Sequence, residues 1–347
     1  MAATRILGLE AMADVVADVG LDGLMDETIE RLTTACEDLD DELMVTMDRD
    51  GFHYTKPALG LLEWMPAMEL GRRVSIKTVG YHPTNPTERG APSVLATTSL
   101  HDTSTGRFLA LSEATFLTAL RTGAASAVAS NVLATADAST LGIVGCGAQA
   151  VSQVHGLSRV RPIERVLAYD ADVEVAQSLG KRLPVDDIAV DVIDDVQQLM
   201  AGSDIICTAT SVDIGGPPVL RDVATRPWLH INAVGADFAG KVELPKSMLE
   251  RALVCPDVVA QCLLEGESQQ LSVDQLGPDL PRLVQGRAHY EGHRQSLTVF
   301  DSTGWALEDL IAAELLLDHA DRLGVGVEVE LQPAPIDPYD PYEFVRS

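Results

Sequence analysis

The chain has 347 residues, of which 46% are hydrophobic, so it can bury a sizeable core and predicts about two domains. Its formal net charge is −27, from 52 acidic and 25 basic residues. A surface of this charge repels phosphate backbones and anionic lipids, and no run of about 18 apolar residues is present to span a membrane. We therefore expect neither a nucleic acid nor a membrane as a partner.

The cysteines are widely spaced and form no CxxC pair or Cys/His cluster with the spacing of a zinc site. For this reason we expect no structural metal. The sequence predicts that most of these thiols are small buried apolar groups in a reducing cytoplasm. The five residues are Cys36, Cys146, Cys207, Cys255 and Cys262.

The first part of the chain predicts helices followed by an antiparallel sheet. Residues 10–38 have the periodicity of two amphipathic helices, and the stretches 74–80, 93–100 and 107–111 have the composition of strands. The segment 112–136 predicts a long helix, rich enough in Ala, Ser and Thr for another backbone to approach closely.

From residue 140 onwards, strands and helices alternate at short intervals, a pattern typical of βαβ units and a parallel sheet. The strand segments LGIV, VLAYD, IAVDVI and DIICTA are followed by further strands at 228–234, 252–255 and 297–301. A long amphipathic helix begins at about residue 305, and we expect it to return to the first domain. The fold class predicted is α/β, with a Rossmann-type doubly wound parallel sheet and a second α+β domain.

The turn in LGIVGCGAQA predicts a dinucleotide site. Gly145 and Gly147 lie between a strand and a helix, where glycine lets the backbone approach a pyrophosphate and the helix start offers free N–H groups. Ala148 and Gln149 follow, and the next strand ends in Asp170, 25 positions after Gly145. An acid there can accept both ribose hydroxyls, which favours NAD over NADP. The alternative is an ordinary strand–helix turn with an acidic surface residue.

Later strands end in the tight turns TATS and NAVGAD, and a further strand ends in DSTG. Ligands of doubly wound sheets lie at the carboxyl ends of the strands, so these turns are expected to complete the NAD site. The cofactor-binding residues predicted there are Thr208, Ser211, Asn232, Val234 and Ser302.

Several longer stretches together resemble the ornithine cyclodeaminase/μ-crystallin family. They are collinear over roughly residues 60 to 310, and the segment KTVGYHPTNP is similar to the cyclodeaminase branch, where alanine dehydrogenases and ketimine reductases have a segment like SVFPGN. The stretches that carry the resemblance are VSIKTVGYHPTNP, LTALRTGAASAVAS, GIVGCGAQA, HINAVGADFAGKVEL, EGESQQL and VFDSTGWALED.

The resemblance implies roles for five residues. Lys77 and Arg121 match the two cations that hold the substrate carboxylate, and Arg49 matches a third, although its surroundings, MDRDGFHYTKP, depart from the common pattern. Asp237 matches the catalytic aspartate, beside which Lys77 also acts in catalysis. Glu63 matches an acid that receives the terminal ammonium of the substrate.

The chemistry of an amino-acid site agrees with these roles, because a buried carboxylate needs cations and an α-ammonium needs a base. Simpler interpretations stay open from the residues alone. Lys77 could be an edge-strand lysine, Arg121 could pair with an acid of the protein, and Glu63 could lie on the surface. Arg49 could be a turn charge, and Asp237 could cap a turn.

The resemblance further implies a redox-neutral cyclodeamination of an L-diamino acid, with NAD as a recycled cofactor. The products would be L-pipecolate from L-lysine or L-proline from L-ornithine, with ammonia; segments such as TSVDIGGPPVL favour lysine. The alternatives are an amino-acid dehydrogenase or cyclic ketimine reductase, and a non-catalytic ligand-binding protein. A homodimer is implied too, with residues 1–115 and 312–347 forming the substrate-binding and dimerisation domain and residues 116–311 forming the NAD-binding domain.

Overall fold

The computed structural model describes residues 3–334 and 336–346. Its strands agree with most of those predicted, including 73–81, 94–102 and 108–113 in the first part of the chain. In chain order the strands are β1 (Thr4–Leu7), β2 (Met44–Thr46), β3 (Asp50–Tyr54), β4 (Gly60–Glu69), β5 (Arg73–Tyr81), β6 (Val94–Asp102), β7 (Phe108–Glu113), β8 (Thr140–Val144), β9 (Arg165–Tyr169), β10 (Ala189–Val192), β11 (Ile205–Thr208), β12 (His230–Ala233), β13 (Leu253–Pro256), β14 (Thr298–Asp301) and β15 (Val327–Val329).

The predicted helices near the N-terminus, in the middle and near residue 305 are all present. The helices are α1 (Leu9–Val19), α2 (Leu21–Glu37), α3 (Asn85–Arg89), α4 (Thr115–Leu133), α5 (Ala148–Val160), α6 (Val173–Arg182), α7 (Val196–Gly202), α8 (Lys246–Leu249), α9 (Val259–Cys262), α10 (Leu280–Gln285), α11 (Arg287–Tyr290), α12 (Ala306–Leu323) and α13 (Glu343–Arg346). None of the described helices is long and apolar enough to cross a membrane.

The chain forms two compact units. Unit 1 contains residues 1–20, 40–117 and 309–347, and unit 2 contains residues 21–39 and 118–308. Helix α2 therefore lies in unit 2, whereas the sequence analysis assigns all of residues 1–115 to the other domain. The reason is its apolar face, which packs against α5 and α10 of unit 2.

Unit 2 contains the predicted Rossmann-type sheet. Seven strands are hydrogen-bonded in parallel, in the order β10-β9-β8-β11-β12-β14-β13. In the central strand β11, alternate residues enter separate apolar clusters, so that Ile205 and Cys207 belong to one cluster and Ile206 to the other. Both faces of β11 are covered, and all four of its residues are buried, as is typical of a strand inside a parallel sheet.

Two helices of unit 2 approach each other at small residues, as the composition of α4 predicted. A Cβ built on Gly156 of α5 would lie 2.8 Å from the carbonyl carbon of Gly123 in α4. The five cysteines are also buried, as predicted. Burial raises the pKa of Cys146 and of Cys255 to about 12, so both thiols are held in the protonated form at neutral pH.

Unit 1 contains an eight-stranded sheet in the order β15-β1-β7-β6-β5-β4-β2, with β3 also paired to β4. The predicted antiparallel arrangement holds from β2 to β7, but β1 pairs with β7 in parallel. Strand β1 is the four-residue segment TRIL, too short to give a period-2 signal in the sequence.

The register of the unit 1 sheet fixes which residues share a face. Met65 of β4, Lys77 of β5 and Thr98 of β6 are paired neighbours, and all three are buried. The opposite face carries Leu62 and Ile76, which are exposed. A one-residue shift would exchange the two faces, so the position of Lys77 depends on this register.

Candidate functional site

The glycine turn after β8 has the geometry that a dinucleotide site requires. Gly145 has a φ of +89°, a backbone conformation that favours glycine, and a Cβ there would lie 2.7 Å from the carbonyl oxygen of Ala209. Gly147 precedes α5, and a Cβ built on it would meet no other described segment within 4 Å. The turn is therefore tight at Gly145 and open at Gly147, where a phosphate could approach the helix start.

Asp170 follows β9 and binds the backbone of the same turn. Its Oδ2 accepts a hydrogen bond of 2.7 Å from the Cys146 N–H, and its Oδ1 accepts one of 2.9 Å from the Asp172 N–H. The guanidinium of Arg182 donates to the Cys146 carbonyl oxygen at 2.6 Å. Both the backbone N–H and the carbonyl oxygen of Cys146 are thus hydrogen-bonded. These bonds fix the position of Asp170 relative to the glycine turn. Sequence reasoning missed Arg182, because it lies 36 positions from the turn.

Three predicted cofactor residues at the strand ends have buried side chains that are hydrogen-bonded to the protein. The Thr208 hydroxyl donates to Glu243 at 2.7 Å, the Asn232 amide donates to Ser130 at 3.0 Å, and the Ser302 hydroxyl donates to Asp257 at 3.0 Å. These side chains hold the strand ends in place. The remaining predicted residues are less enclosed: Ser211 and Ala148 are exposed, and Val234 and Gln149 are partly buried.

Lys77 is buried within unit 1, with 1% of its surface exposed, which excludes a solvated edge lysine. Its Nζ donates to Asp309 Oδ1 of α12 at 2.9 Å. An unpaired ammonium at such a position would cost several kcal/mol of desolvation free energy, and a carboxylate offsets that cost. The sequence analysis assigned Lys77 to the carboxylate of the substrate, a role that stays a prediction, and the carboxylate that Lys77 contacts here is that of Asp309.

Arg121 is buried within unit 2 and pairs with an acid of the protein. Its Nη1 donates to Glu308 Oε2 at 2.7 Å. Gly304, in the DSTG turn, has a φ of +90°, and a Cβ there would lie 2.6 Å from Arg121 Nη1. The glycine of this turn therefore leaves room for the guanidinium, a role that the sequence alone did not assign.

Glu63 is buried on the inner face of β4, with 3% of its surface exposed, which excludes a surface position. Its carboxylate lies 3.6 Å from Arg49 Nη1 and 3.0 Å from His53 Nε2. Arg49 is buried too, so it is not a solvated turn charge. Gly51 of β3 faces Glu63, and a Cβ there would lie 2.7 Å from its Cγ. Sequence reasoning missed His53, whose strand pairing could not be inferred from the atypical segment around it.

Asp237 lies in the irregular segment between β12 and α8 of unit 2. Its side chain is 41% exposed, while the neighbouring Lys241 side chain is only 9% exposed. Lys241 Nζ donates to Asp237 Oδ1 at 3.2 Å. A carboxylate held in this way at the end of a sheet strand can accept a proton from a substrate amine.

The Asp301 carboxyl at the end of β14 is fully buried. Its oxygens accept hydrogen bonds from the backbone N–H of Glu267 at 2.9 Å and of Ser268 at 2.7 Å. Burial raises the pKa of Asp301 from its usual 3.8 to about 7, against the opposing effect of these donors, and the nearby Asp257 raises it further. Asp301 therefore titrates near neutral pH.

This shift predicts a pH-dependent stability. Because the folded-state pKa of Asp301 lies above 3.8, the folded protein binds more protons than the unfolded chain between about pH 4 and pH 7. The contribution of Asp301 to the free energy of unfolding should therefore fall by up to roughly 4 kcal/mol as pH rises through this window. Urea denaturation at a series of pH values measures this effect. As the pH rises through the window, the free energy of unfolding of Asp301→Asn should increase relative to that of the wild type. Asp137→Asn, at an exposed carboxyl, is the control, and a pH-independent difference between wild type and Asp301→Asn would contradict the assignment.

Within the described residues, no group of three or more His, Cys, Asp or Glu side chains is placed to hold a metal ion. The glycine turn and Asp170 fit the phosphates and ribose of a dinucleotide.

Comparison with known proteins identifies the family. The family model described as "Ornithine cyclodeaminase/mu-crystallin family" matches residues 9–323. The chain belongs to this family. The resemblance carried by the sequence motifs is thereby confirmed, and so is the α/β fold with a Rossmann-type sheet and a second domain.

Three known proteins are similar to this chain over nearly its whole length. L-lysine cyclodeaminase of Streptomyces rapamycinicus is 39% identical over 342 residues, which cover 98% of this chain and 99% of that protein. A solved lysine cyclodeaminase, studied for its recognition of L-lysine, L-ornithine and L-2,4-diamino butyric acid, has a TM-score of 0.95 and 45% identity, with coverage of 98% and 99%. An archaeal alanine dehydrogenase dimer with bound NAD has a TM-score of 0.84 and 29% identity, with coverage of 95% and 99%.

Proposed function

We propose that this protein catalyses the NAD-dependent, redox-neutral cyclodeamination of an L-diamino acid, converting L-lysine to L-pipecolate or L-ornithine to L-proline with release of ammonia. The observation that carries the proposal is the full-length similarity to lysine cyclodeaminase, at 45% identity and a TM-score of 0.95. The proposal is also supported by Glu63, since a second buried acid serves a substrate with a distal amine and is not needed for alanine.

Each of the proposed substrate-site residues has a separate role in this reaction. Lys77 and Arg121 bind the α-carboxylate of the substrate, and Arg49 is proposed as a third cation at this carboxylate. Glu63 binds the distal ammonium. Asp237 takes the proton from the α-ammonium, so that the nitrogen lone pair becomes available when the Cα–H bond breaks.

NAD, when bound, supplies the acceptor for the Cα hydride and, after ring closure, the donor that returns it. The distal amine attacks the imine carbon, and the α-nitrogen leaves as ammonia, so a lysine molecule gives one pipecolate and one ammonia with no net redox change. The turn residues Gly145 and Gly147 would approach the pyrophosphate, with Ala148 and Gln149 at the helix start and Asp170 at the ribose. The remaining residues proposed to line the NAD site are Thr208, Ser211, Asn232, Val234 and Ser302.

The first test is incubation of the purified protein with catalytic NAD⁺ and L-lysine or L-ornithine separately, with products read by mass spectrometry. Pipecolate or proline with ammonia, and no accumulated NADH, would support cyclodeamination. NADH accumulating in step with a keto acid would make the protein a dehydrogenase. One methylene is worth only about 1–3 kcal/mol of discrimination, so we expect both diamino acids to react at different rates.

The role of Glu63 predicts a selective effect of Glu63→Gln. Loss of the charged contact to the distal ammonium should lower kcat/KM for L-lysine by about 10–10²-fold. Binding of L-alanine, which has no distal amine, should change little, and inhibition by alanine is the measurement for that comparison. Equal losses for lysine and alanine would contradict a role at the distal end.

The role of Asp170 predicts a cofactor effect. Asp170→Ala should raise the Kd for NAD⁺ by about 10-fold or more, because the variant loses hydrogen bonds to the ribose and one anchor of the glycine turn. Titration of NAD⁺ and NADP⁺ by protein fluorescence measures this. The wild type should bind NAD⁺ more tightly than NADP⁺. The ratio of the two Kd values should be smaller in Asp170→Ala. Glu174→Gln, at an exposed acid in the first turn of α6, is a control for charge near the site.

We propose a homodimer in which the outer face of the unit 1 sheet is covered by a second copy. This face carries exposed apolar side chains on four adjacent strands: Phe52, Leu62, Ile76 and Leu95. Large apolar side chains exposed on one face of adjacent strands are typical of an interaction site. Analytical ultracentrifugation of Ile76→Glu tests the interface, and an unchanged dimer would contradict it.

The five buried free thiols suit the reducing cytoplasm that we propose as the location of the enzyme.

A further inference from the structure

The segment that carries Asp237 is held by its own Glu243 side chain and by Glu267 and Gln269 from later in unit 2. It connects β12, which ends at Ala233, with α8, which begins at Lys246. The Gly235 N–H donates to Glu243 Oε2 at 2.9 Å, and the Glu243 N–H donates to Glu267 Oε1 at 2.6 Å. Glu243 and Glu267 are fully buried, and burial raises the pKa of both carboxyls. An irregular segment anchored at this many points has little freedom to move.

The Gln269 side chain binds the backbone of the two residues Gly240 and Lys241 at both ends. Its Oε1 accepts from the Gly240 N–H at 2.7 Å, and its Nε2 donates to the Lys241 carbonyl oxygen at 2.9 Å. The same Nε2 lies 2.8 Å from the carbonyl oxygen of Gly266, which ties the amide to the turn that precedes it. Gly240 has a φ of +85°, so the chain reverses there in a conformation that favours glycine. The backbone of Lys241 is thereby fixed from both ends.

The fixed backbone of Lys241 directs its side chain to Asp237. The Lys241 side chain is 9% exposed, and its ammonium lies 3.2 Å from Asp237 Oδ1. Because a buried ammonium is costly without an anion, the pair resists rotation of Lys241 away from the carboxylate. The Asp237 side chain is 41% exposed, and its Oδ1 accepts a hydrogen bond from this ammonium.

We propose that Lys241 and Gln269 are positioning residues for Asp237: Gln269 fixes the backbone of Gly240 and Lys241, and Lys241 fixes the orientation of the carboxylate that accepts the substrate proton. The inference rests on the proposed function of Asp237. A misplacement of about 1 Å at a reacting group can cost about 10²-fold in rate, so such residues matter without touching the substrate.

The test compares Lys241→Met, Lys241→Arg and Gln269→Leu with the wild type, using ammonia release from L-lysine. Lys241→Met and Gln269→Leu should lower kcat by about 10- to 10²-fold, with KM within about 3-fold and the Kd for NAD⁺ unchanged. Lys241→Arg should recover most of the loss. With lysine deuterated at Cα, the isotope effect on kcat should rise in the two slow variants, because the misplaced base slows the chemical step.

The control is Gln275→Leu, since Gln275 binds only Ser272 of its own turn among the hydrogen bonds described for its side chain; it should retain the wild-type kcat. Thermal unfolding and NAD⁺ titration establish that each variant is folded, and Gln269→Leu carries the test if Lys241→Met does not fold. Full kcat in folded variants would overturn the inference, and so would a raised KM with kcat unchanged, which would place Lys241 in substrate binding. If the wild type itself forms no cyclic product, the proposed function fails instead, so the two failures are distinguishable.

Discussion

Replacement of Asp237 by asparagine is expected to lower kcat for L-lysine by about 10²–10⁴-fold, the range typical of losing a general acid–base group. The asparagine amide has nearly the same shape but cannot take the proton of the α-ammonium. Binding of NAD⁺ should change little, because the substitution alters no group of the glycine turn. Steady-state ammonia release and NAD⁺ titration by fluorescence measure the two effects separately.

The matched control for this experiment is Asp213→Asn, an exposed aspartate of the same unit, which should keep wild-type activity. Since Lys241 loses an ion-pair partner in Asp237→Asn, thermal unfolding of the variant should be measured alongside activity. A folded Asp237→Asn protein with a kcat within a few-fold of wild type would remove Asp237 from the proton-transfer role. A loss of NAD⁺ affinity would instead assign Asp237 to cofactor binding.

The parts of the fold that the sequence predicts well are those with local signals. The alternation of apolar strands and helices after residue 140, the glycine turn and the acid at 170 all lie within short windows, and the structure places them as expected. The burial of Lys77 is also readable, because its neighbours in the strand are β-branched. Strand β1 and the assignment of α2 to unit 2 were not readable, since a four-residue strand and a helix that packs far along the chain leave no local pattern.

The candidate site is less predictable, because its residues are paired over long distances in the sequence. Lys77 meets Asp309, 232 positions away, and Arg121 meets Glu308, 187 positions away. Both acids lie in the quoted segment VFDSTGWALED. The periodicity of this segment predicts an amphipathic helix, but it does not predict which cations the two acids contact. Likewise, no role could be assigned to the segment ESQQ from the sequence. Its side chains accept hydrogen bonds from backbone N–H groups within residues 240–244, and only the fold brings these groups close.

Replacement of Lys77 by methionine is expected to affect both activity and stability, and the two effects can be separated. The variant loses one of the cations proposed to bind the substrate carboxylate, so kcat/KM for L-lysine should fall by about 10²-fold. It also leaves the buried Asp309 carboxylate without the ammonium 2.9 Å away, which should lower the free energy of unfolding by about 3–5 kcal/mol. Ammonia release and urea denaturation measure the two quantities.

The double variant Lys77→Met/Asp309→Asn decides what Lys77 is for. Removing both charges abolishes the uncompensated carboxylate, so the double variant should regain most of the lost stability, since exchanging a buried ion pair for neutral groups is often close to neutral. If Lys77 also binds substrate, kcat/KM stays low in the double variant although the fold is restored. Recovery of both quantities together would mean that Lys77 serves only to neutralise Asp309. A buried lysine beside a protein carboxylate can bind the substrate or only neutralise that carboxylate. A double variant that regains its stability but stays inactive distinguishes substrate binding from neutralisation of Asp309.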